Sequence, residues 1–142
     1  MARYLVVANQ TLGGDALLGR LREVAGEGPC EIHVVVPASA DPTESFHDEA
    51  TDLGLARSRL EEALARFGEL DADVTGEVGD HRPVDAVGDV LRRGERFDRI
   101  IVSTLPPGIS RWVRLDAVSR IERSVDVPVE HIVFDPQPAA RR

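Results

Sequence analysis

The chain has 142 residues, of which 42% are hydrophobic, and this length and composition suit one domain with a single buried core. Its 17 basic and 25 acidic residues give a net charge of -8, which argues against broad binding to nucleic acid or to anionic membranes. Every basic residue is an arginine, so a Schiff-base lysine, a P-loop lysine and a kinase-type lysine are all excluded.

Two further absences bear on location and redox chemistry. No apolar run approaches the ~20 residues that span a bilayer, and the N-terminus begins with a strand pattern instead of a signal peptide. We therefore expect a cytoplasmic protein without membrane contact. The single cysteine, Cys30, forms no intrachain disulfide, and its place at the start of an apolar run predicts a buried, unreactive thiol.

The first half of the chain predicts two strands and two helices in alternation. Residues 4–8 and 32–36 are short, apolar and rich in β-branched side chains, which is typical of strands covered on both faces. Apolar residues at spacings of three and four predict a helix capped by Asp15 and a longer helix over residues 48–67. Residues 38–47 contain proline and small polar residues, and we interpret them as a mobile flap.

The next part of the chain continues the alternation. Residues 72–78 alternate weakly and predict a third strand at an edge of the sheet, where one face can be wet. Residues 84–91 carry apolar side chains at helical spacing. Residues 100–102 are uniformly apolar and predict a buried fourth strand.

The last part of the chain supplies a loop, a helix and a final strand. The fourth strand ends in the loop 103–108, and apolar residues at helical spacing then predict a helix over residues 109–125. Residues 128–134 predict a fifth strand. Residues 135–142 are a short polar tail that we expect to be disordered.

This regular alternation of strands and helices predicts the architecture. It favours a single α/β domain over residues 1–142 with a five-stranded, doubly wound parallel sheet, order 3-2-1-4-5, and helices on both faces. In such a sheet ligands bind where the connections diverge, which here pairs the loop after strand one with the loop after strand four.

We therefore expect any ligand to contact the carboxyl ends of the central strands and the start of the fourth helix. The anionic end of that ligand is predicted to lie near Gly108, Ser110 and Arg111, with Arg114 as a helper, because free helix N–H groups and guanidinium groups suit anions. The candidate binding residues are Ala8, Asn9, Gln10, Thr11, Val36, Pro37, Ser103, Thr104, Gly108, Ser110, Arg111 and Arg114.

Three stretches resemble the universal stress protein family, namely the strand end at residues 76–80, the central strand at 98–102 and the Val-Pro-Val sequence at 127–129. The resemblance covers essentially the whole chain. It implies a flavodoxin-like or adenine-nucleotide-hydrolase-like sheet, a homodimer and the ATP site that many members carry. The family's glycine-rich phosphate motif, G-x2-G-x9-G-[ST], corresponds here to residues 103–106 and 115–116.

The chain departs from that motif in ways that disfavour ATP. The phosphate glycines are missing, and Pro106 and Pro107 have no N–H to donate. Asp116 replaces the family's Ser or Thr and places a negative charge beside the phosphate site. Many members hold the ribose with an aspartate after strand one, where this chain has Asn9. We expect ATP, AMP or another anion to bind weakly, if a ligand binds at all.

The sequence predicts no catalytic residues and no metal site. No Walker motif, no G-x-G-x-x-G and no G-x-S-x-G pattern is present. Cys30 and His33 are three residues apart on a strand, so their side chains point to opposite faces and cannot share a metal ion.

Three functional hypotheses remain. We favour a universal-stress-protein-like regulatory or binding domain without turnover, which forms a homodimer through residues 127–134. The second hypothesis is an adenine-nucleotide-binding protein with slow ATP hydrolysis. The third is a protein-interaction module that acts through its dimer surface and residues 38–47, with a crevice that no longer binds ligand.

Overall fold

The structure is a computed structural model and describes residues 1–9, 11–38, 49–106 and 116–134. Strands and helices alternate in these residues, as the sequence predicts. In chain order they are β1 (Ala2–Val7), α1 (Asp15–Gly26), β2 (Cys30–Pro37), α2 (Glu49–Phe67), β3 (Asp73–Gly79), α3 (Pro83–Arg92), β4 (Arg99–Thr104), α4 (Ala117–Ser124) and β5 (Val129–Val133).

All five strands form one parallel sheet in the order β3-β2-β1-β4-β5, which confirms the predicted fold. The central strand β1 pairs with β2 on one side and with β4 on the other, so that Val7 stands beside Val35 and Val102. β3 and β5 are the two edges, as predicted. Because every strand runs the same way, all carboxyl ends lie at one edge of the sheet.

Helices cover both faces of the sheet. Residues of β1 alternate between the two faces: Val6 belongs to the core under α1 and α2, whereas Leu5 belongs to the core under α3 and α4. Both side chains are fully buried, so the strand is apolar on each face. The largest fully buried side chains are Phe67, Leu5, Leu17, Leu21, Ile32, Ile100, Ile101 and Ile121.

Two local predictions are wrong. The predicted helix over residues 109–125 does not pass through Asp116, which has the left-handed φ of 58°; the helix α4 begins at Ala117, and residues 109–115 lie outside the described residues. Asp15 does not cap α1, because the capping position is Gly14 and no side chain bonds to the end of the helix there. Asp15 instead lies in the first turn of α1, where its negative charge interacts favourably with the positive end of the helix dipole.

The free thiol of Cys30 is 3% exposed, and burial raises its pKa, as expected of an unreactive cysteine. Its neighbour on β2, His33, lies on the opposite face of the sheet, where Nδ1 is 2.7 Å from Oγ1 of Thr75 and Nε2 is 2.7 Å from Oε1 of Glu77. Arg93 also binds both carboxylate oxygens of Glu77. This cluster joins β2, β3 and the end of α3.

The Glu77 contacts predict loss of stability in acid. Hydrogen bonds from Arg93, and next from His33, hold the pKa of Glu77 at about 2. Because this pKa is below that of the unfolded chain, the contribution is present above about pH 4.5 and disappears as the pH falls toward 2. Solvent screens the pair, so we expect Glu77→Gln to cost ~1 kcal/mol at pH 7. Thermal unfolding between pH 7 and 2.5 should show the difference from wild type shrinking with acid. An equal effect of Glu69→Gln, an exposed residue, would contradict the assignment.

Candidate functional site

The carboxyl edge of the sheet brings together the predicted residues that the structure describes. Ala8 and Asn9 follow β1, and Ser103 and Thr104 end the neighbouring strand β4. All four are buried. Thr11, Val36 and Pro37 are described as well, whereas Gln10, Gly108, Ser110, Arg111 and Arg114 lie outside the described residues, as do residues 39–47 of the predicted flap.

Asn9 is held by the protein at both ends of its amide. Nδ2 donates to the carbonyl oxygen of Pro37 at 2.6 Å, and Oδ1 accepts a hydrogen bond from Arg59 at 2.5 Å. The side chain is only 2% exposed. It therefore links the end of β1 to the end of β2 and to α2. A ribose hydroxyl that bound Asn9 would have to replace one of these two hydrogen bonds.

Arg59 is the residue at this site that the sequence analysis missed. The apolar periodicity of α2 assigns Arg59 to the charged outer face of the helix. Arg59 is also 50 residues from Asn9 in the chain. Helical periodicity gives the face of a residue, but not which loop lies beside that face. No signal in the single sequence distinguishes Arg59 from the exposed Arg57 on the same helix.

Thr104 joins the other side of the crevice to the edge strand. Its Oγ1 lies 2.8 Å from Nε2 of His131 on β5, and its carbonyl oxygen accepts a hydrogen bond from the N–H of Phe134 at 2.7 Å. Partial desolvation lowers the pKa of His131, with a smaller opposing effect from Glu122, although the residue is exposed at the surface. Among the described residues, no carboxylate is hydrogen-bonded to His131 as the third group of a catalytic triad would be.

The loop after β1 is packed tightly against the end of β5. The N–H of Gly14 donates to the carbonyl oxygen of Thr11 at 2.9 Å, which closes a turn before α1. A methyl group at Gly14 would stand 2.7 Å from Cδ1 of Phe134, so glycine is needed for this contact. The hydroxyl of Thr11 is buried and has no hydrogen-bond partner within the described ranges.

A small cavity opens beside this loop, between it and α2. Its volume is about 250 Å³. We name it the α2-side pocket, and its lining residues are Asn9, Leu12, Gly13, Arg59, Glu62, Ala63 and Arg66. Arg66 donates to the carbonyl oxygen of Gly13 at 2.6 Å, which ties the far end of the pocket to the loop. The described part of the chain contains no cluster of three His, Cys, Asp or Glu residues that could hold a metal ion.

Comparison with known proteins gave matches at the level of structure. No family model matches the sequence, and no curated protein matches it significantly. A universal stress protein from Archaeoglobus fulgidus superposes with a TM-score of 0.54 at 19% identity, covering 95% of this chain and 94% of its own. A universal stress protein in complex with cAMP gives 0.50 at 17% identity, covering 94% and 98%.

The chain has the universal stress protein fold. The resemblance drawn from residues 76–80, 98–102 and 127–129 is thereby confirmed as far as the fold. The same fold is also present in a protein of different chemistry: GalB, a 4-carboxy-2-hydroxymuconate hydratase from Pseudomonas putida KT2440, gives a TM-score of 0.51 at 21% identity over 87% of this chain and 55% of its own. Function must therefore be argued from the site.

Proposed function

We propose that this chain is a universal-stress-protein-like regulatory domain that binds a ligand without turnover and acts as a homodimer. The observation that best supports this proposal is that the Asn9 side chain at the crevice is hydrogen-bonded within the protein. Asn9 takes the place after β1 where many family members carry the ribose-binding aspartate, and its amide is already bonded to Pro37 and Arg59. Thr104 and His131 add a hydroxyl and an imidazole, and none of the described carboxylates is hydrogen-bonded to that imidazole.

ATP is expected to bind poorly to this crevice. A phosphate site at the end of a strand depends on backbone N–H donors, and Pro106 and Pro107 supply none. We expect a dissociation constant for Mg-ATP weaker than about 100 µM, which corresponds to less than roughly 5.5 kcal/mol. Calorimetric titrations with ATP, AMP and cAMP measure the dissociation constants. The panel includes cAMP because one structural neighbour was solved in complex with cAMP.

Mass spectrometry of ligands released from freshly purified protein complements the titration. Co-purified ATP, or a dissociation constant in the low micromolar range, would favour the second hypothesis, an adenine-nucleotide-binding protein with slow hydrolysis. Absence of a bound nucleotide together with weak calorimetric binding disfavours the second hypothesis and leaves the regulatory domain and the protein-interaction module.

The homodimer is proposed to form through the edge strand β5. An edge strand exposes unpaired backbone groups that another strand can bind. Val133 on β5 is 43% exposed. Among the described residues, Val133 and Met1 are the two large hydrophobic side chains that are exposed to solvent. The one carboxylate of the strand, Glu130, is bound within the protomer by Arg20 and Arg99, so it does not charge the edge. Sedimentation equilibrium at micromolar concentration should show a dimer.

We propose a cytoplasmic location for this protein. None of the helices in the described ranges is long and apolar enough to cross a membrane. A role as a protein-interaction module is the remaining candidate, and it is favoured if the dimer forms while the nucleotide panel and the ligand search both give nothing.

A further inference from the structure

A threonine, a histidine and a glutamate are hydrogen-bonded in a row at the β3 edge of the sheet, away from the crevice. His33 on β2 stands opposite Thr75 on β3, and Glu77 is the next β3 residue on the same face. Nδ1 of His33 is 2.7 Å from Oγ1 of Thr75, and Nε2 is 2.7 Å from Oε1 of Glu77. A hydroxyl, an imidazole and a carboxylate in this order are a nucleophile, its base and the group that orients the base.

The carboxylate decides which nitrogen of the imidazole can act as the base. Glu77 is ionised at neutral pH, since its pKa is about 2, so its oxygens can only accept hydrogen bonds. Nε2 of His33 must therefore carry the hydrogen of that bond. In the neutral imidazole Nδ1 then has the free lone pair, and Thr75 donates its hydroxyl hydrogen to it. An imidazole in this arrangement can remove the proton of a hydroxyl nucleophile.

Other side chains fix the base and the carboxylate in position. The ring of Phe97 stacks beside that of His33, with ring centres 6.4 Å apart and planes at 25°. Arg93 binds both oxygens of Glu77, which prevents the carboxylate from turning away. The side chain of His33 is only 15% exposed. Groups that are held in place before a reaction need no reorganisation during it.

The hydroxyl, in contrast, is open to solvent. α3 covers this face of the sheet near the end of β3, where Ala86 lies against Gly79. The helix ends at Arg92, and Thr75, nearer the start of β3, is exposed. A molecule from solution can therefore approach the hydroxyl without displacing the base behind it.

We propose that Thr75 takes up one acyl group from an activated donor, an ester or a thioester, with His33 as general base and Glu77 as the positioning residue. Oγ1 of Thr75 forms a bond to the acyl carbon while Nδ1 of His33 takes the hydroxyl proton. The bond from that carbon to the leaving oxygen or sulfur breaks, and the leaving atom keeps the electron pair. The proton then passes from Nδ1 to the leaving group or to water, and the product is an ester of Thr75. This covalent modification goes beyond the proposed function, because it takes place away from the crevice and needs no nucleotide.

The full-length protein is incubated with p-nitrophenyl acetate, and peptide mass spectrometry locates the acetyl group. We expect acetylation of Thr75, with release of an equal amount of p-nitrophenolate. The chain contains no lysine, so no lysine amine competes for the reagent. Thr75→Val keeps the β-branched shape and should abolish this label, whereas Thr75→Ser keeps the hydroxyl and should retain it. His33→Gln removes the base and should slow labelling about 100-fold.

The role of Glu77 is tested by a spectroscopic signature, because Glu77 acts through His33. In the wild-type protein the ¹⁵N chemical shifts of the imidazole should show the hydrogen on Nε2 and none on Nδ1. The amide of Glu77→Gln can donate as well as accept, so the tautomer is no longer fixed. We expect a mixture of tautomers in this variant and labelling that is slower by about tenfold.

His81→Gln and Thr51→Val are the matched controls, because both residues are exposed and lie outside this cluster. Both should be labelled as fast as wild type. Acetylation at another residue, equal rates in His33→Gln and wild type, or a hydrogen on Nδ1 in the wild-type protein would overturn the proposal. Thr75 is exposed, so Thr75→Val should fold and decide the question even if His33→Gln does not fold. These outcomes are independent of the nucleotide titration and of the oligomeric state, which test the proposed function.

Discussion

Replacing Val133 by arginine is expected to convert the proposed dimer into a monomer. In a two-fold dimer formed by β5, each copy contributes the same strand, so the substitution places two guanidinium groups into one interface. Burying charges without partners is costly, and we expect dimerisation to weaken at least 100-fold, which corresponds to about 2.7 kcal/mol. Sedimentation equilibrium over a range of concentrations measures the change.

The position allows a clean control. Val133 is 43% exposed in the protomer. The free energy of unfolding of the Val133→Arg monomer should therefore lie within about 0.5 kcal/mol of that of the wild-type monomer. Val133→Thr keeps the β-branched shape and adds no charge, and it should remain largely dimeric. A wild-type protein that is monomeric at micromolar concentration, or a Val133→Arg protein that dimerises as tightly as wild type, would refute the β5 interface.

A valine at position 76 is expected to produce the second large effect, a loss of about 2 to 3 kcal/mol of unfolding free energy. A methyl group at Gly76 would stand 2.5 Å from Cδ1 of Leu60 and 3.1 Å from the carbonyl oxygen of Val34. The substitution therefore displaces the Leu60 side chain and strains the packing of α2 on β3, and this loss outweighs the better strand propensity of valine. Urea unfolding, followed by circular dichroism, gives the free energy.

Gly54 supplies the contrasting variant on α2. It lies within the helix, it is exposed, and an added methyl group would meet nothing within 4 Å. Gly54→Ala should therefore stabilise the protein by about 0.5 to 1 kcal/mol. If Gly76→Val and Gly54→Ala changed stability by similar amounts and in the same direction, the close packing of α2 on β3 would not be what makes Gly76 necessary.

The parts of the fold that follow from periodicity were predictable from the sequence. β1 and β4 are apolar on consecutive residues because both of their faces are covered, and this pattern alone assigns them to the middle of a parallel sheet. The order of strands is one of those expected of a doubly wound sheet with right-handed crossovers.

The features that the sequence analysis did not predict depend on single backbone angles or on contacts between residues far apart in the chain. Nothing in the apolar spacing indicates that Asp116 adopts a left-handed conformation, because spacing reports which face a residue occupies and not its φ angle. Asn9 follows β1, as the strand assignment predicts, but the partners of its amide, Pro37 and Arg59, are 28 and 50 residues away. Such contacts arise only after the helices have packed on the sheet.

The central place of β1 has a consequence for synthesis on the ribosome. Arg3 donates its backbone N–H to Asp98 across 95 residues, and β1 cannot pair with β4 until that part of the chain has emerged. At about 5 to 20 residues per second, this delay lasts roughly 5 to 20 s. Throughout that time the nascent chain carries an apolar strand with one open edge. We therefore expect early truncations that end before Arg99 to be held by chaperones or to aggregate, whereas chains extending through β4 escape both fates.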